Sequence, residues 1–134
     1  MVYLESSQNI DSEQLHGFFV GWPNPPSEER LLKLLHKSDF VVLAFDEEVN
    51  KVVGLVTATS DGVLSAYIPL LEVLPDYQGR GIGTDLMQRM LDKLSHLYMI
   101  DLLCDEALQP FYERLGMGGS RGMRVRNYER QSGA

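Results

Sequence analysis

Residues 71–84 read Leu71-Glu72-Val73-Leu74-Pro75-Asp76-Tyr77-Gln78-Gly79-Arg80-Gly81-Ile82-Gly83-Thr84, and this stretch is the most informative part of the sequence. It begins as an extended apolar run, turns after Pro75, carries three glycines at alternate positions and continues as an amphipathic helix. Glycines in such a turn leave backbone N–H groups open to a ligand, and the N-terminus of a helix carries a partial positive charge. The pattern therefore predicts a site for an anion such as phosphate or pyrophosphate.

Two other phosphate-binding loops are excluded by particular residues of this turn. A P-loop requires a lysine after its last glycine, and the turn contains no lysine. The dinucleotide-binding fingerprint requires glycine at the position that Thr84 occupies. The anion predicted here is therefore bound by a different kind of loop.

The elements around the turn follow from hydrophobic spacing. Apolar residues recur with helical period from Ile82 to Leu94, and this long helix between strands predicts a parallel pair of strands. An apolar run with turn signals on both sides is typical of a buried strand. The other predicted elements are helices over 10–19 and from Ser27 to Lys37, strands over 40–45, 52–59, 63–73 and 98–104, a helix over 107–115, and a half-exposed strand over 123–128.

Length and composition point to one domain. With 134 residues, 44% of them hydrophobic and 23% charged, the chain can bury one core. The net charge of −7 argues against nucleic-acid binding, because phosphate contacts need clustered Lys and Arg. A single cysteine, Cys104, excludes an internal disulfide, and its place late in an apolar run predicts a buried residue. No metal site is predicted, because the three histidines lack ligand spacing.

The distribution of charge and of apolar residues bears on partners. No apolar run approaches the roughly 20 residues of a membrane span, and no signal peptide begins the chain, so we expect no membrane partner and a cytoplasmic location.

Residues 1–78 hold four basic and twelve acidic side chains, whereas residues 79–134 hold eight basic and seven acidic ones. The first part is expected to attract cations, and the second part to tolerate an anion.

Gln78, Gly81 and Gly83 fill the pattern Gln/Arg-x-x-Gly-x-Gly/Ala, and the chain resembles the GNAT superfamily of acyl-CoA-dependent N-acetyltransferases, which bind pyrophosphate with this motif. The stretch Phe111-Tyr112-Glu113-Arg114-Leu115-Gly116-Met117 is similar to a later segment of that family, Leu-Tyr-x-x-x-Gly-Phe. The resemblance covers about residues 40–128.

The resemblance implies an α/β (α+β) fold in a single domain, residues 1–134. Its sheet would be mixed and centrally splayed, with about six strands flanked by about four helices. Residues 1–38 would form variable helices on the acceptor side, and residues 39–134 the sheet core with the acyl-CoA site.

In this family the strand before the motif splays from its neighbour, and the pantetheine arm of CoA lies in the gap. The resemblance implies acetyl-CoA as co-substrate, with the backbones of Leu71, Glu72 and Val73 along the arm and the Val73 N–H at the thioester carbonyl. It also implies that backbone N–H groups of the turn hold the pyrophosphate, those of Gln78, Gly79, Arg80, Gly81, Ile82, Gly83 and Thr84. For the Arg80 side chain, a solvated surface position is the alternative to a phosphate contact.

Tyr112 falls where the family has its general acid, beside the sulfur of CoA. A phenol with a pKa near ~10 is protonated at neutral pH, so it can donate a proton to a leaving thiolate, whose thiol has a pKa of ~8.5. The alternative is an aromatic residue that only packs beside Phe111.

A general base must take a proton from the amine before it attacks the thioester. Glu72, in the strand expected to splay, is the first candidate, and Asp101, on the next strand, is the second; a structural carboxylate is the alternative for each. Two positions depart from the family: Tyr67 stands where its histone-modifying branch has glutamate, and Asp105 where asparagine is common.

The implied function is transfer of an acetyl group from acetyl-CoA to an amine, by direct attack in a ternary complex. A non-catalytic acyl-CoA sensor and a module that binds another phosphorylated ligand are the alternatives. The acidic balance of residues 1–78 predicts a cationic small molecule or peptide amine as acceptor. The sequence leaves open the identity of the acceptor, the formation of a homodimer and the use of longer acyl groups.

Overall fold

Five strands form one mixed sheet in a computed structural model that describes all 134 residues. The strands lie in chain order and are antiparallel neighbours, except that the last two are parallel, as the intervening helix predicts. The α/β class and the mixed sheet are confirmed, with five strands in place of about six. The strands are β1 (Val2–Leu4), β2 (Phe40–Asp46), β3 (Lys51–Ser60), β4 (Ser65–Val73) and β5 (Met99–Asp101).

The chain has three α-helices and four short 3₁₀ helices, in place of about four helices. The first α-helix begins where the sequence predicts it, because the Ser27 side chain accepts the Arg30 N–H at 3.1 Å. No helix combines the length and hydropathy that a membrane crossing requires. The α-helices are α1 (Glu28–Lys37), α2 (Ile82–Lys93) and α3 (Gln109–Glu113); the 3₁₀ helices are Ser12–Leu15, Pro75–Tyr77, Glu106–Leu108 and Tyr128–Arg130.

Both faces of the sheet are covered by apolar side chains. On one face, α2 buries Leu86 and Met87 completely against the central strands. Gly54 of β3 lies beneath this helix, where an added Cβ would stand 3.0 Å from Leu86 Cδ1. On the other face, α1 buries Leu31 and Leu35. Burying a leucine side chain contributes about 1.5–3 kcal/mol to the free energy of unfolding, so both apolar layers stabilise the sheet.

The splay between β4 and β5 has a local cause in β4. Only Ser65–Tyr67 pairs with β5, while β4 continues unpaired on that side to Val73. The register with β3 shifts so that Ile68 and Pro69 lie opposite Ala58 alone. Such a bulge bends its strand, and proline has no N–H to donate to a neighbouring strand. The two strands therefore diverge directly after Tyr67, as the resemblance implies.

Two elements predicted near the ends of the chain are wrong. The helix over residues 10–19 is reduced to the 3₁₀ helix Ser12–Leu15, because Gly17 (φ 101°) and Phe19 (φ 63°) have left-handed backbone that cannot continue a helix. Residues 123–128 form no strand, because no strand of the chain lies beside them. The short strand β1, which has no clear sequence pattern, pairs with β2.

The segment that follows α2 also differs from the prediction. β5 covers only Met99–Asp101 of the predicted strand over 98–104, because residues 102–105 leave β4 at the splay. The prediction of a buried Cys104 is wrong for the same reason, since its side chain is exposed. The helix predicted over 107–115 is split into a 3₁₀ turn and α3, with Pro110 in the first turn of α3.

Candidate active site

The splay opens a cleft between β4 and the segment after β5. Its cavity has a volume of about 640 Å³. The unpaired half of β4 forms one wall, and residues 102–105 with α3 form the other. The residues that line it are Val20, Trp22, Ile68–Val73, Pro75, Gln78, Leu102–Asp105, Leu108, Tyr112, Arg124 and Arg126.

The backbone of β4 presents free polar groups to this cleft. The Leu74 N–H donates to the Val53 carbonyl of β3 at 2.8 Å. The backbone N–H and carbonyl groups of successive residues in an antiparallel strand point alternately to its two neighbours. Those of Leu71 and Val73 therefore point away from β3, into the cleft between β4 and residues 102–105. The Gln78 side chain donates to the Val73 carbonyl at 3.0 Å, and the N–H groups stay free for a ligand.

The glycine turn supplies a second set of free donors. The six backbone N–H groups of residues 79–84 donate to no group of the chain. The first N–H after them, that of Asp85, donates to the Gly81 carbonyl at 3.0 Å. Gly79 (φ 76°) and Gly81 (φ 81°) have left-handed backbone, which favours glycine. Six donors at the positive end of α2 suit a bound anion.

The turn is fixed to the rest of the sheet by Tyr77. Its hydroxyl donates to Asp46 Oδ2 at 2.7 Å, and this bond raises the pKa of Tyr77 and lowers that of Asp46. Arg80 folds back on the same turn: its guanidinium donates to the Asp76 carbonyl at 3.0 Å and lies 5.0 Å from the centre of the Tyr77 ring. The Arg80 side chain therefore stabilises the turn.

Tyr112 stands half-buried on the α3 side of the cleft. Its ring packs edge-on against Phe111, with 4.9 Å between the ring centres. Burial raises the pKa of the Tyr112 phenol, and the negative charge that the neighbouring Cys104 carries when ionised raises it further. The phenol is therefore protonated at neutral pH, and because its hydroxyl makes no hydrogen bond within the chain, that proton is free to meet a ligand.

Glu72 has a structural contact that the sequence does not reveal. Its two carboxylate oxygens accept the N–H groups of Phe19, at 2.9 Å, and of Val20, at 3.2 Å. The ring of Phe19 packs on Trp22, with 4.7 Å between the ring centres, so Glu72 holds the loop on the acceptor side against β4. No sequence signal joins residues that lie more than fifty positions apart.

The structure brings Glu72 and Tyr112 to one cleft and leaves Asp101 outside it. Asp101 is exposed at the end of β5 and lines two other cavities, both of which are also lined by Tyr67. Arg124 and Arg126 line the cleft, and the sequence does not predict this placement. The only signal for it is the large number of arginines near the end of the chain. No group of three or more His, Cys, Asp or Glu side chains is placed to hold a metal ion.

Comparisons with known proteins agree with this geometry. The profile of the Acetyltransferase (GNAT) family matches residues 7–117. The uncharacterized N-acetyltransferase ycf52 of Pyropia yezoensis is 30% identical over 131 residues, which cover 91% of this chain and 75% of that protein.

Two solved structures extend the comparison. A candidate acetyltransferase of Deinococcus radiodurans R1 is 44% identical, with a TM-score of 0.94 over 98% of this chain and 91% of that one. The GNAT family protein SP0256 of Streptococcus pneumoniae TIGR4 is 31% identical, with a TM-score of 0.75 over 94% of this chain and 97% of that one. The profile, the relatives and the splayed sheet agree: this chain belongs to the GNAT family of acetyltransferases.

Proposed function

We propose that this chain transfers an acetyl group from acetyl-CoA to an amine acceptor by direct attack in a ternary complex. The observation that carries the proposal is the cleft itself, where the free N–H groups of β4 and the free hydroxyl of Tyr112 line one cavity beside the glycine turn. Family membership supports the same reaction.

The free donors of the chain fit acetyl-CoA. The N–H groups of Gly79, Arg80, Gly81, Ile82, Gly83 and Thr84, next to Gln78, would hold the pyrophosphate, because they have no partner in the chain and lie at the positive end of α2. The backbones of Leu71, Glu72 and Val73 would line the pantetheine arm, with the Val73 N–H toward the thioester carbonyl. Acetyl-CoA bound there supplies an activated thioester. Arg124 and Arg126 add positive charge to the cleft.

Gly83→Glu should weaken CoA binding by about a hundredfold or more, because the added carboxylate would compete with the pyrophosphate for the donors of the turn. Calorimetry with CoA measures this. Gly83→Ala is the matched control: its Cβ would meet Phe111 Cζ at 3.7 Å, an ordinary contact, so it should bind CoA like the wild type. A folded Gly83→Glu variant with wild-type affinity would contradict the proposed CoA site.

Tyr112 is the proposed general acid. A donor beside the leaving sulfur must keep its proton, and burial favours the neutral phenol by raising its pKa. The proton of Tyr112 is thus retained through neutral and mildly alkaline pH, where more of the acceptor amine is uncharged and able to attack.

Tyr112→Phe should lower kcat by roughly ten- to a thousandfold and change KM for acetyl-CoA little, because a proton donor acts mainly in the transition state. Steady-state kinetics across an amine panel measure both constants. Phenylalanine keeps the ring that packs on Phe111, so the fold is preserved. Unchanged kcat, under conditions where release of the thiolate limits the rate, would leave Tyr112 with a packing role only.

Glu72 is the proposed general base, acting directly or through a water molecule. Its side chain lies on the other face of β4 from those of Leu71 and Val73, because side chains alternate along a strand. That face carries Val20 and Trp22, so the amine would approach from this side. Each carboxylate oxygen accepts one N–H and can accept a further hydrogen bond. Asp101, the second candidate, would need a chain of water molecules, since it lies outside the cleft.

Glu72→Gln should lower kcat by roughly a hundred- to ten-thousandfold, because the amide cannot accept a proton from the amine. For the same reason, the decrease of kcat toward acid pH should be lost in this variant. The pH profile of kcat measures both effects, and Asp101→Asn is the matched control with an expected profile like the wild type. Glu72→Gln with a normal acid limb and only a raised KM for the acceptor would mean that Glu72 anchors the loop and is not the base.

The proposed acceptor is a cationic small molecule or a peptide amine. The excess of acidic side chains in residues 1–78, which include the loop at Val20 and Trp22, supports this choice. A cytoplasmic location stays a prediction of the sequence.

Among amines of matched size, kcat/KM should be highest for cationic acceptors at low salt, and this preference should decline as ionic strength passes 0.1 M, where the Debye length is ~10 Å. Neutral and anionic amines tested at the same two salt concentrations are the controls. Preference for the anionic amine, or a cationic preference that salt does not change, would refute this assignment.

A further inference from the structure

A turn over residues 19–22, named here the acceptor turn, is held to β4 by a single carboxylate. The Trp22 N–H donates to the Phe19 carbonyl at 3.1 Å and closes the turn. The N–H groups of Phe19 and Val20 donate to the two carboxylate oxygens of Glu72, at 2.9 Å and 3.2 Å. These two bonds are the hydrogen bonds that join the acceptor turn to the sheet.

The backbone of the acceptor turn depends on this contact. Phe19 has φ 63°, in the left-handed region that a residue with a side chain rarely adopts. Such a conformation persists only where the surrounding structure imposes it. The buried ring of Phe19 provides one restraint, and the carboxylate of Glu72 provides the other. Weakening the contact with Glu72 therefore removes one of the two restraints that keep Phe19 in this conformation.

The strength of the contact depends on the charge of Glu72. An ionised carboxylate only accepts hydrogen bonds, so its two oxygens can serve both N–H groups at once. Hydrogen bonds to a charged group are roughly twice as strong as bonds between neutral groups. When the carboxylate takes up a proton, one of its oxygens becomes a donor, and the N–H group that faces this oxygen loses its acceptor. Protonation of Glu72 therefore breaks one of the two bonds and weakens the other.

We infer that protonation of Glu72 releases the acceptor turn from β4, and that the turn closes again when the proton is lost. The catalytic consequence rests on the proposed function. As the general base, Glu72 takes a proton from the acceptor ammonium: an N–H bond breaks, its electron pair stays on the nitrogen, and an O–H bond forms at Glu72. The turn is thus loosened while the acetylated product is in the site. Transfer of the proton to water then restores both hydrogen bonds before the next acceptor binds.

Glu72 is the titratable group that hydrogen-bonds to the acceptor turn. Within residues 16–26 the single ionisable side chain is His16, which lies outside the turn and pairs with Glu28 at 2.7 Å. On β3, the residue opposite Glu72 is Leu55, which carries no charge. The other ionisable side chains that face this region are Glu28 and Glu29 of α1 and, across the cleft, Cys104, Asp105, Tyr112, Arg124 and Arg126.

Trp22 is the single tryptophan of the chain, so its fluorescence reports on the acceptor turn. In the intact chain without substrate, lowering the pH from about 8 to about 4, the range in which glutamate side chains take up a proton, should shift the emission to longer wavelength and increase its quenching by acrylamide. Circular dichroism at each pH checks that the chain stays folded.

Glu72→Gln should have the emission of the released turn at every pH, because its amide presents one acceptor and one donor to two N–H groups. Asp105→Asn is the matched control, since it neutralises the other carboxylate of the cleft. His16→Gln is the second control, since it removes the ionisable group nearest to the turn along the chain. Both control variants should keep the pH transition of the wild type.

Amide hydrogen exchange tests the two bonds in the wild type alone. Below the pH of the fluorescence transition, the protection factors of the Phe19 and Val20 amides, corrected for the intrinsic effect of pH, should decrease severalfold. The Asn24 N–H is the internal control: it donates to Gln131 Oε1 at 2.8 Å, an acceptor that does not titrate, so its protection should stay constant.

Two results would overturn the inference. One is a folded wild type whose Trp22 emission and amide protection do not change with pH, and the other is a pH transition that persists in Glu72→Gln. If that variant does not fold, the exchange data of the wild type decide. All of these measurements are made without substrate, so their outcome is separate from the pH profile of kcat that tests Glu72 as the base.

Discussion

The separation of β4 from β5 is the constraint on which the site depends. Three residue pairs hold the two strands together, and then the bulge at Ile68 and Pro69 turns β4 away. Had the pairing continued, the N–H groups of Leu71 and Val73 would have been used within the sheet, and no ligand could have reached them. The buried layers under α1 and α2 keep this half-paired strand in place, because they hold its side chains from both faces. A strand left without one neighbour is thus a stable part of the fold.

The alternation of side chains lets β4 present different groups to the two faces of the sheet. Leu71 and Val73 pack toward α2, on the side of the glycine turn and Tyr112. Glu72 reaches the opposite face and holds the loop that carries Trp22. The proposed acetyl donor and acceptor would therefore approach β4 from opposite faces of the sheet. The hydroxyl of Tyr112 and the carboxylate of Glu72 therefore lie on opposite sides of β4.

Features encoded by neighbouring residues could be predicted from the sequence, whereas features that join distant segments could not. The glycine turn, α2, and the start of α1 at Ser27 depend on local spacing and capping, and they were predicted closely. The left-handed backbone of Phe19 has no sequence signal, because non-glycine residues rarely adopt it, and so the first helix was predicted too long. The anchoring by Glu72 and the exposure of Cys104 follow from where β4 and β5 separate, which no local pattern records. Residues 123–128 have the alternating pattern of a strand, but a local pattern cannot say whether another strand lies beside it.

Gly54 of β3 is in close contact with α2, and this contact fixes the distance between the helix and the sheet. Because Gly54 has no side chain, Leu86 of α2 packs directly on the backbone of β3. The helix therefore lies closer to the sheet than any larger residue at position 54 would allow. The glycine turn is continuous with the N-terminus of α2, so its position depends on that of the helix. A methyl group added beneath the helix would meet Leu86 Cδ1 at 3.0 Å and Ile82 Cγ2 at 3.3 Å, so it would tilt or lift the turn that carries the free donors. The small size of residue 54 is thus one of the conditions that set where these donors lie relative to the cleft.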